Sequence, residues 1–439
     1  MNDFPGAARQ PASPQIWNSA GRRYYSTFAA WLQFPLDRQP PAICARPISP
    51  TRDTKAMAAD GSDVVICFAT QGSGHGEERR IVELLAPLEP TLFPFDRSAK
   101  PRTALRLLAT LRRLRPAVVV MEGTGLGGGL PLLLAGRWLG IPYVVSSGDA
   151  VGPFIAAAHP RLRAFADLYE RLLYSRSAAV IGWSPYVVGR AITLGASRAA
   201  TAANWSASLP APDARATIRA RLGIPTDAVV FGIVGSLQYN ARLDWCYGLE
   251  LVRALRATDR EDLRVLIVGD GSGRARLAEL AGDDLDRRVL LAGRCEVAEV
   301  ADHLAAMDVG SLPQSRDPVG ALRYTTKLSE YVAAGLPVVT GQLPFAYDLD
   351  DGWIWRLPGV LPWQRTYIDA LAGLMATLSA DELTAKRAKV PVATDLFDKQ
   401  TQQRRISALV SDVIAEHAEH RLLGEPSLLR DPSAGREPS

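Results

Sequence analysis

Twice along this chain, short continuous apolar runs alternate with segments of helical spacing, and most of the runs end in a turn of Gly, Ser or Pro. That pattern leaves few folds open. A run such as Val64-Val65-Ile66-Cys67-Phe68-Ala69 has no polar face, so it belongs to a strand covered on both sides. Strands of this kind joined through helices pair in parallel, with helices on both faces of the sheet. The first series places strands at Val64–Ala69, Thr91–Phe95, Ala117–Glu122, Tyr143–Ser146, Ala179–Trp183 and Ala199–Asn204. Its helices are expected at Glu77–Leu85, Thr103–Leu114, Leu130–Leu139, Leu162–Tyr174 and Tyr186–Leu194. The second series has strands at Ala228–Val234, Arg264–Val268, Arg288–Ala292, Val309–Leu312 and Pro337–Thr340, and helices at Leu243–Ala257, Arg274–Ala281, Val297–Ala306 and over the stretch that follows Tyr324.

A chain of 439 residues is too long for one ordinary core, so the reading is α/β with two doubly wound, Rossmann-like domains in tandem. Residues 1–60, rich in Pro and Arg, read as a partly disordered N-terminal extension, although Trp17, Tyr24, Tyr25 and Phe28 leave open that some of it packs on the body. The first domain spans 61–208, a Pro-bearing linker 209–227, and the second domain 228–395. An amphipathic helical segment follows at 396–422, and residues 423–439 read as a disordered tail. Ligands of such sheets bind beyond the carboxyl ends of the strands, so the natural site is the cleft between the domains.

Composition excludes several classes of function. The net charge of +4 makes no case for nucleic acid. Cys44, Cys67, Cys246 and Cys295 form no C-x-x-C pair, and the five histidines show no H-E-x-x-H pattern. Neither a zinc site nor a disulfide framework is expected, and no metal; a reducing cytoplasm fits. No apolar run reaches the ~18 residues of a spanning helix, and the N-terminus lacks a basic-then-apolar signal pattern.

The chemistry converges on Arg323-Tyr324-Thr325-Thr326-Lys327-Leu328-Ser329-Glu330-Tyr331-Val332-Ala333-Ala334-Gly335-Leu336-Pro337. Thr325 and Thr326 suit a helix N-cap, Leu328 and Val332 form its core stripe, and Gly335 and Pro337 stop it. Lys327 and Glu330 share a different face. A helix N-terminus with hydroxyls and a Lys suits phosphate, and a carboxylate one turn deeper suits a pair of sugar hydroxyls. Gly235 and Ser236, with Arg242 beyond them, Gly269, and Gly293 with Arg294 end the preceding strands and aim at the same cleft. Each of these turns alone reads equally as a plain cap. In the first domain, His75 lies in the loop Gln71-Gly72-Ser73-Gly74-His75-Gly76, and Glu122 and Asp149 sit at strand ends. They are the candidates for acceptor contact and catalysis, or else solvated and helix-capping groups. The basic segment 100–115, with Leu105, Leu107, Leu108 and Leu111, reads either as a solvated helix or as a contact with an anionic membrane surface.

The stretch Thr326 to Val339 resembles the K-x-x-E-Y-x-A-x-G-x-P-V-V signature of glycosyltransferase family 4, and Gly235-Ser236-Leu237, Gly269-Asp270-Gly271 and Gly293-Arg294 resemble its supporting turns. The resemblance covers about 228–341 well and 63–205 in outline. It implies the GT-B fold, with the donor in the second domain, the acceptor mostly in the first, and a last helix crossing back, a role for Lys399–His417. It further implies retaining, metal-independent transfer from a UDP- or GDP-sugar to a glycan or lipid-linked acceptor, in cell-envelope or exopolysaccharide synthesis. Glu330 would then hold the ribose, and Thr325, Thr326, Lys327 or Arg242 the diphosphate. The chain departs from the signature at Leu322, where the family has a second Glu, and at Ala241, where it has a Lys next to the position of Arg242. The family's first-domain histidines are replaced around Gly148-Asp149 and by Glu122. A non-catalytic GT-B partner protein and a GT-B nucleotide-sugar epimerase are the alternatives.

Overall fold

The computed structural model describes residues 64–423 and shows two six-stranded sheets, every pairing parallel. The expected extension at 1–60 and the tail at 423–439, apart from Leu423, lie outside the described residues. The first sheet has the order β2-β1-β3-β4-β5-β6, with β1 Val65–Ala69, β2 Thr91–Leu92, β3 Val118–Glu122, β4 Tyr143–Ser147, β5 Ala179–Gly182 and β6 Ala199–Thr201. The second runs β12-β11-β10-β7-β8-β9, with β7 Val229–Val234, β8 Leu263–Val268, β9 Val289–Gly293, β10 Val309–Leu312, β11 Val338–Gly341 and β12 Ile354–Leu357. This is the two-domain GT-B architecture.

Helices fill the connections. In the first domain they are α1 Gly76–Leu84, α2 Lys100–Leu114, α3 Leu126–Leu139, α4 Val151–Ala158, α5 Arg163–Ser175 and α6 Pro185–Thr193. Then come α7 Ala214–Arg221, α8 Leu249–Leu255, α9 Arg274–Ala281, α10 Val300–Ala305, α11 Thr326–Ala333, α12 Phe345–Asp348, α13 Arg365–Thr377, α14 Ala380–Arg387 and α15 Lys399–Leu422. On one face of the first sheet, Leu107, Leu111, Leu132, Tyr169 and Leu173 from α2, α3 and α5 form a core. On the other, Ile81 and Leu84 of α1 meet Ile406, Val410 and Val413 of α15. The last helix therefore does return to the first domain. Asp398 caps it by accepting from the Thr401 N–H at 2.7 Å, and Lys399 pairs with Glu83 at 2.6 Å.

Several expectations need correction. The helix expected at Leu243–Ala257 shrinks to α8, because the Asn240 carboxamide accepts from the Arg242 and Leu243 N–H groups and folds a turn that ends in an Asn240–Trp245 bridge. Gly248, at φ +92°, then starts the short helix. The strand expected to run to Phe95 stops at Leu92, since Pro94 has no N–H to give. Arg215 and Arg219 of α7 both bind the buried Asp308, at 2.7 and 2.6 Å, so this helix is part of the second domain. Among the elements that went unforeseen are α4, whose Pro153 is tolerated in the first turn, the short helix α12 and the edge strand β12.

Candidate active site

The carboxyl ends of the second sheet are pressed into one surface. Gly235 N–H donates to Val268 O at 2.9 Å, Leu237 N–H to Asp270 O at 3.0 Å, and Gly269 N–H to Gly293 O at 2.7 Å. A Cβ on Gly269, which sits at φ +142°, would lie 1.9 Å from the Gly235 carbonyl oxygen. Gly269 is thus required for the turns to stack, whatever they bind.

Beside them stands α11. Leu328, Tyr331 and Val332 bury one face, and the Tyr331 hydroxyl donates to Ser311 O at 2.9 Å. At its end Leu336 N–H bonds Tyr331 O and Gly335 N–H bonds Val332 O, the paired closure that a left-handed glycine permits. Its start is different from the expectation. Thr325 occupies the N-cap position, but its side chain caps nothing; the hydroxyl oxygen is buried without a partner. Thr326 Oγ1 accepts from the Asn204 carboxamide at 3.0 Å. The Lys327 ammonium lies 4.3 Å from the centroid of the Tyr247 ring, and its chain runs past Gly235, where a Cβ would touch Cε at 3.0 Å. Glu330 is one turn deeper. Burial pushes its carboxyl up to about 7, against the opposing pull of Lys327.

This helix start opens into a cleft against the first domain. A cavity of about 620 Å³ is bounded by Thr325, Thr326 and Lys327 on one side, and by Glu77, Gly125 and Phe154 among others on the opposite wall. It continues into a second space of about 820 Å³ that reaches His75, Asn204 and Glu330. Glu77 and Thr326 border both. Across the cleft, Arg323 grips Asp149 with two nitrogens, Nη2 to Oδ2 at 2.8 Å. Ser184 Oγ donates to Leu322 O, and Tyr186 packs edge-on against Tyr324 at 5.8 Å.

The sequence-derived candidates scatter accordingly. Thr325, Thr326, Lys327 and Glu330 line the cleft together, and Gly235, Gly269 and Gly293 form the stacked turns beside them. Ser236, Arg242 and Arg294 are exposed, and none borders the two cavities. His75 is exposed at the start of α1 and borders the second cavity. Asp149 is held by Arg323.

Glu122 borders the first cavity, but its carboxylate is already engaged. It is buried, paired with Arg80 at 2.6 Å, and accepts from Ser146 Oγ at 2.9 Å and Trp183 Nε1 at 3.0 Å. Arg80 in turn donates to Ala202 O at 2.6 Å and lies 4.4 Å over the Trp183 ring. The carboxylate ties together the ends of β3, β4, β5 and β6.

A further carboxyl on the cleft wall was missed. Glu77, in the first turn of α1, has an Oε2 buried without a partner. Burial, reinforced by the charges of Glu122 and Asp149, pushes its carboxyl up to about 8. The only local signal was an acid right after a glycine-rich loop, which reads as an ordinary first-turn acid.

Comparison with known proteins agrees with this geometry. The Glycosyl transferase 4-like domain matches residues 51–205, and the Glycosyl transferases group 1 domain matches 228–379. A D-inositol 3-phosphate glycosyltransferase from Kineococcus radiotolerans is 39% identical over 158 residues, covering 33% of this chain and 34% of that protein. The match thus spans about a third of that relative's length. Among solved structures, Anabaena HepE in complex with UDP and glucose superposes with a TM-score of 0.59 at 18% identity, over 80% of this chain and 100% of that one. Sucrose-phosphate synthase from Thermosynechococcus elongatus gives 0.55 at 15% identity, over 82% and 99%. With one glycosyltransferase domain on each side of a GT-B cleft, the chain belongs to the group 1 glycosyltransferases.

Proposed function

We propose that this chain moves a sugar from a nucleoside-diphosphate sugar, UDP- or GDP-linked, to a hydroxyl of a glycan or lipid-linked acceptor in cell-envelope or exopolysaccharide synthesis. The observation that carries the reading is the start of α11: a buried Thr325 hydroxyl without a partner, and the Lys327 ammonium beside it, both bordering the interdomain cavity. Hydroxyl, ammonium and free amides at a helix N-terminus are the donor set a diphosphate requires. Glu330, one turn in, accepts from the two ribose hydroxyls. The solved HepE structure contains UDP and glucose, and the same class of donor suits this cleft.

In the reaction we infer, the bond from the sugar's anomeric carbon to the diphosphate breaks as Lys327 and the helix dipole stabilise the leaving oxygen. The new bond forms on the same face, and the departing phosphate oxygen takes the acceptor's proton. No side-chain base is needed, and the reading takes the transfer as retaining and metal-independent. Glu77 and His75 border the acceptor side of the cleft and bind acceptor hydroxyls. The basic helix α2 offers its exposed arginines to an anionic membrane that presents a lipid-linked acceptor.

One observation favours a second reading, a non-catalytic partner: Leu322 stands where the family signature has its other Glu, and Arg323 beside it is spent on Asp149. The test is a panel of UDP- and GDP-sugars, read by thermal shift and by release of free nucleotide. Stabilisation by one donor with nucleotide release supports transfer. Stabilisation without release under any acceptor points to the partner reading. If no nucleotide-sugar stabilises the protein, the proposal is wrong.

A further inference from the structure

The outer surface of the first domain is unusually apolar for a helical layer facing solvent. In α3 the sole charged residue is Arg137, and the helix is apolar around its whole circumference, as buried helices are. Yet one stripe points outward: Leu130, Leu134 and Trp138 are exposed, the last at 72%. Their four-residue spacing puts them on one line. On the neighbouring stretch Leu162, Phe165, Leu168 and Leu172 make a second exposed line, three to four residues apart, with Leu168 at 55%. The two helices touch where Gly129 meets Tyr169: a Cβ on Gly129 would lie 2.0 Å from the Tyr169 hydroxyl, which donates to Thr124 O. The lines are therefore adjacent, each about 12 to 15 Å long at the helical rise.

Charge around them is mostly of one sign. Arg106 and Arg113 on α2, Arg137 on α3, and Arg163 and Arg171 on α5 are exposed. The helix α2 carries no acid, and neither does α3. On α5, Glu170 is buried against Arg190, which leaves Asp167 as the exposed acid, 3.8 Å from Arg163. The expected membrane segment, 100–115, does not supply the apolar surface: Leu107 and Leu111 of α2 are spent on the core and Leu105 alone of its leucines is exposed. It supplies charge to the apolar face that α3 and α5 provide.

We infer that the α3–α5 face is a docking surface for an anionic lipid bilayer. Exposed Leu, Phe and Trp beside arginines is the composition that inserts shallowly at a headgroup boundary, where the arginines meet lipid phosphates. A protein partner would need acids facing the arginines and a shaped apolar counterpart; the bilayer supplies both without shape. The face also leads to the cleft. The first turn of α3 (Leu126 and Gly127) and the apolar Val151, Phe154 and Ile155 of α4 line the cavity, so an acceptor with its tail in the bilayer would reach the donor along an apolar wall. This deepens the acceptor reading above, and its test does not depend on turnover.

The test is flotation of the full chain with vesicles. Binding is expected to phosphatidylglycerol-containing vesicles and not to pure phosphatidylcholine, and to fall with salt. The double variant Trp138→Ser, Phe165→Ser should bind at least about tenfold more weakly, with unchanged circular dichroism and unchanged nucleotide binding. Hydrogen exchange at 130–138 and 162–172 should slow further when vesicles are present. Three results would each overturn the inference: no flotation with any vesicle, flotation indifferent to the double variant, or a dimer by light scattering that the variant dissolves.

Discussion

Arg323, just ahead of α11, and Asp149, just beyond β4, meet across the interdomain cleft in a two-pronged ion pair, with Nη2 to Oδ2 at 2.8 Å. Both side chains also border the cavity where donor and acceptor would meet. The pair therefore ties the domains together at the point of chemistry. The side chains are 24% and 41% exposed, so screening limits such a pair to at most about 1 kcal/mol. Asp149→Asn should therefore open the cleft modestly. We expect a larger radius of gyration by small-angle scattering and a donor KM up to about fivefold higher, with raised salt mimicking both effects. Unchanged scattering and unchanged KM would show that the pair does not hold the domains.

Lys327 carries the second prediction. Its ammonium rests over the Tyr247 ring and next to the turn of Gly235, so it is held in place before any ligand arrives. Hydrogen bonds to a charged group contribute about 1.5–3 kcal/mol. Lys327→Ala should thus weaken UDP or GDP binding by roughly 10- to 100-fold, measured by titration calorimetry. Lys327→Arg should recover part of the loss. Thr325→Val, which keeps shape and removes the orphan hydroxyl, should cost less than Lys327→Ala. Equal affinity in all three variants would move the diphosphate elsewhere.

How much of this was legible in the sequence follows from how local each signal is. Lys327, Glu330 and the stop at Gly335 were readable because a helix start, its spacing and its left-handed end are written within a dozen residues. The parallel sheets were readable because buried strands have no polar face. The ion pair of Glu122 was not readable because its partner Arg80 lies 42 residues upstream, and no local pattern links them. Glu77 was missed for the same reason: what buries and perturbs it are the ends of β3 and β4, brought beside α1 only by the fold. Helix α8 was overextended because helical spacing was present, but Asn240 and Gly248 impose a turn that spacing does not reveal.

The two perturbed carboxyls of the cleft predict opposite trends of function and stability with pH. Glu330, at about 7, binds ribose hydroxyls best as a carboxylate, so donor affinity should rise as pH passes through 7 and then level off. Nucleotide-sugars suit this measurement, because their doubly esterified diphosphate does not titrate there. The rise should vanish in Glu330→Gln. Stability runs the other way. A carboxyl whose folded pKa is raised favours the fold fully below its unfolded pKa, and that contribution is lost as pH climbs through the folded value. For Glu77 the loss spans the interval from the ordinary carboxyl range up to about 8. Glu77→Gln should match the parent at pH 4 and be more stable at pH 9, by urea unfolding. An unchanged difference between the two pH values would refute the buried, unpartnered state of Glu77.

Glu122 separates a structural role from a catalytic one. Its carboxylate balances Arg80, and both side chains are almost wholly buried, at 1% and 3% exposure. Burial already pulls the Arg80 guanidinium down from its usual range, with Glu122 the main force holding the charge. Removing one partner of such a pair leaves an uncompensated charge, which costs about 3–5 kcal/mol. Glu122→Ala should therefore lower unfolding stability by about that amount. The double change Glu122→Leu, Arg80→Met should recover much of it, because a buried pair replaced by apolar groups of like volume is often neutral. If Glu122 were catalytic instead, Glu122→Gln would abolish turnover with little loss of stability. We expect the reverse: a clear fall in stability, with kcat in the remaining folded protein reduced by less than about tenfold, since the Glu122 carboxylate, although the residue borders the cavity, is engaged by Arg80, Ser146 and Trp183.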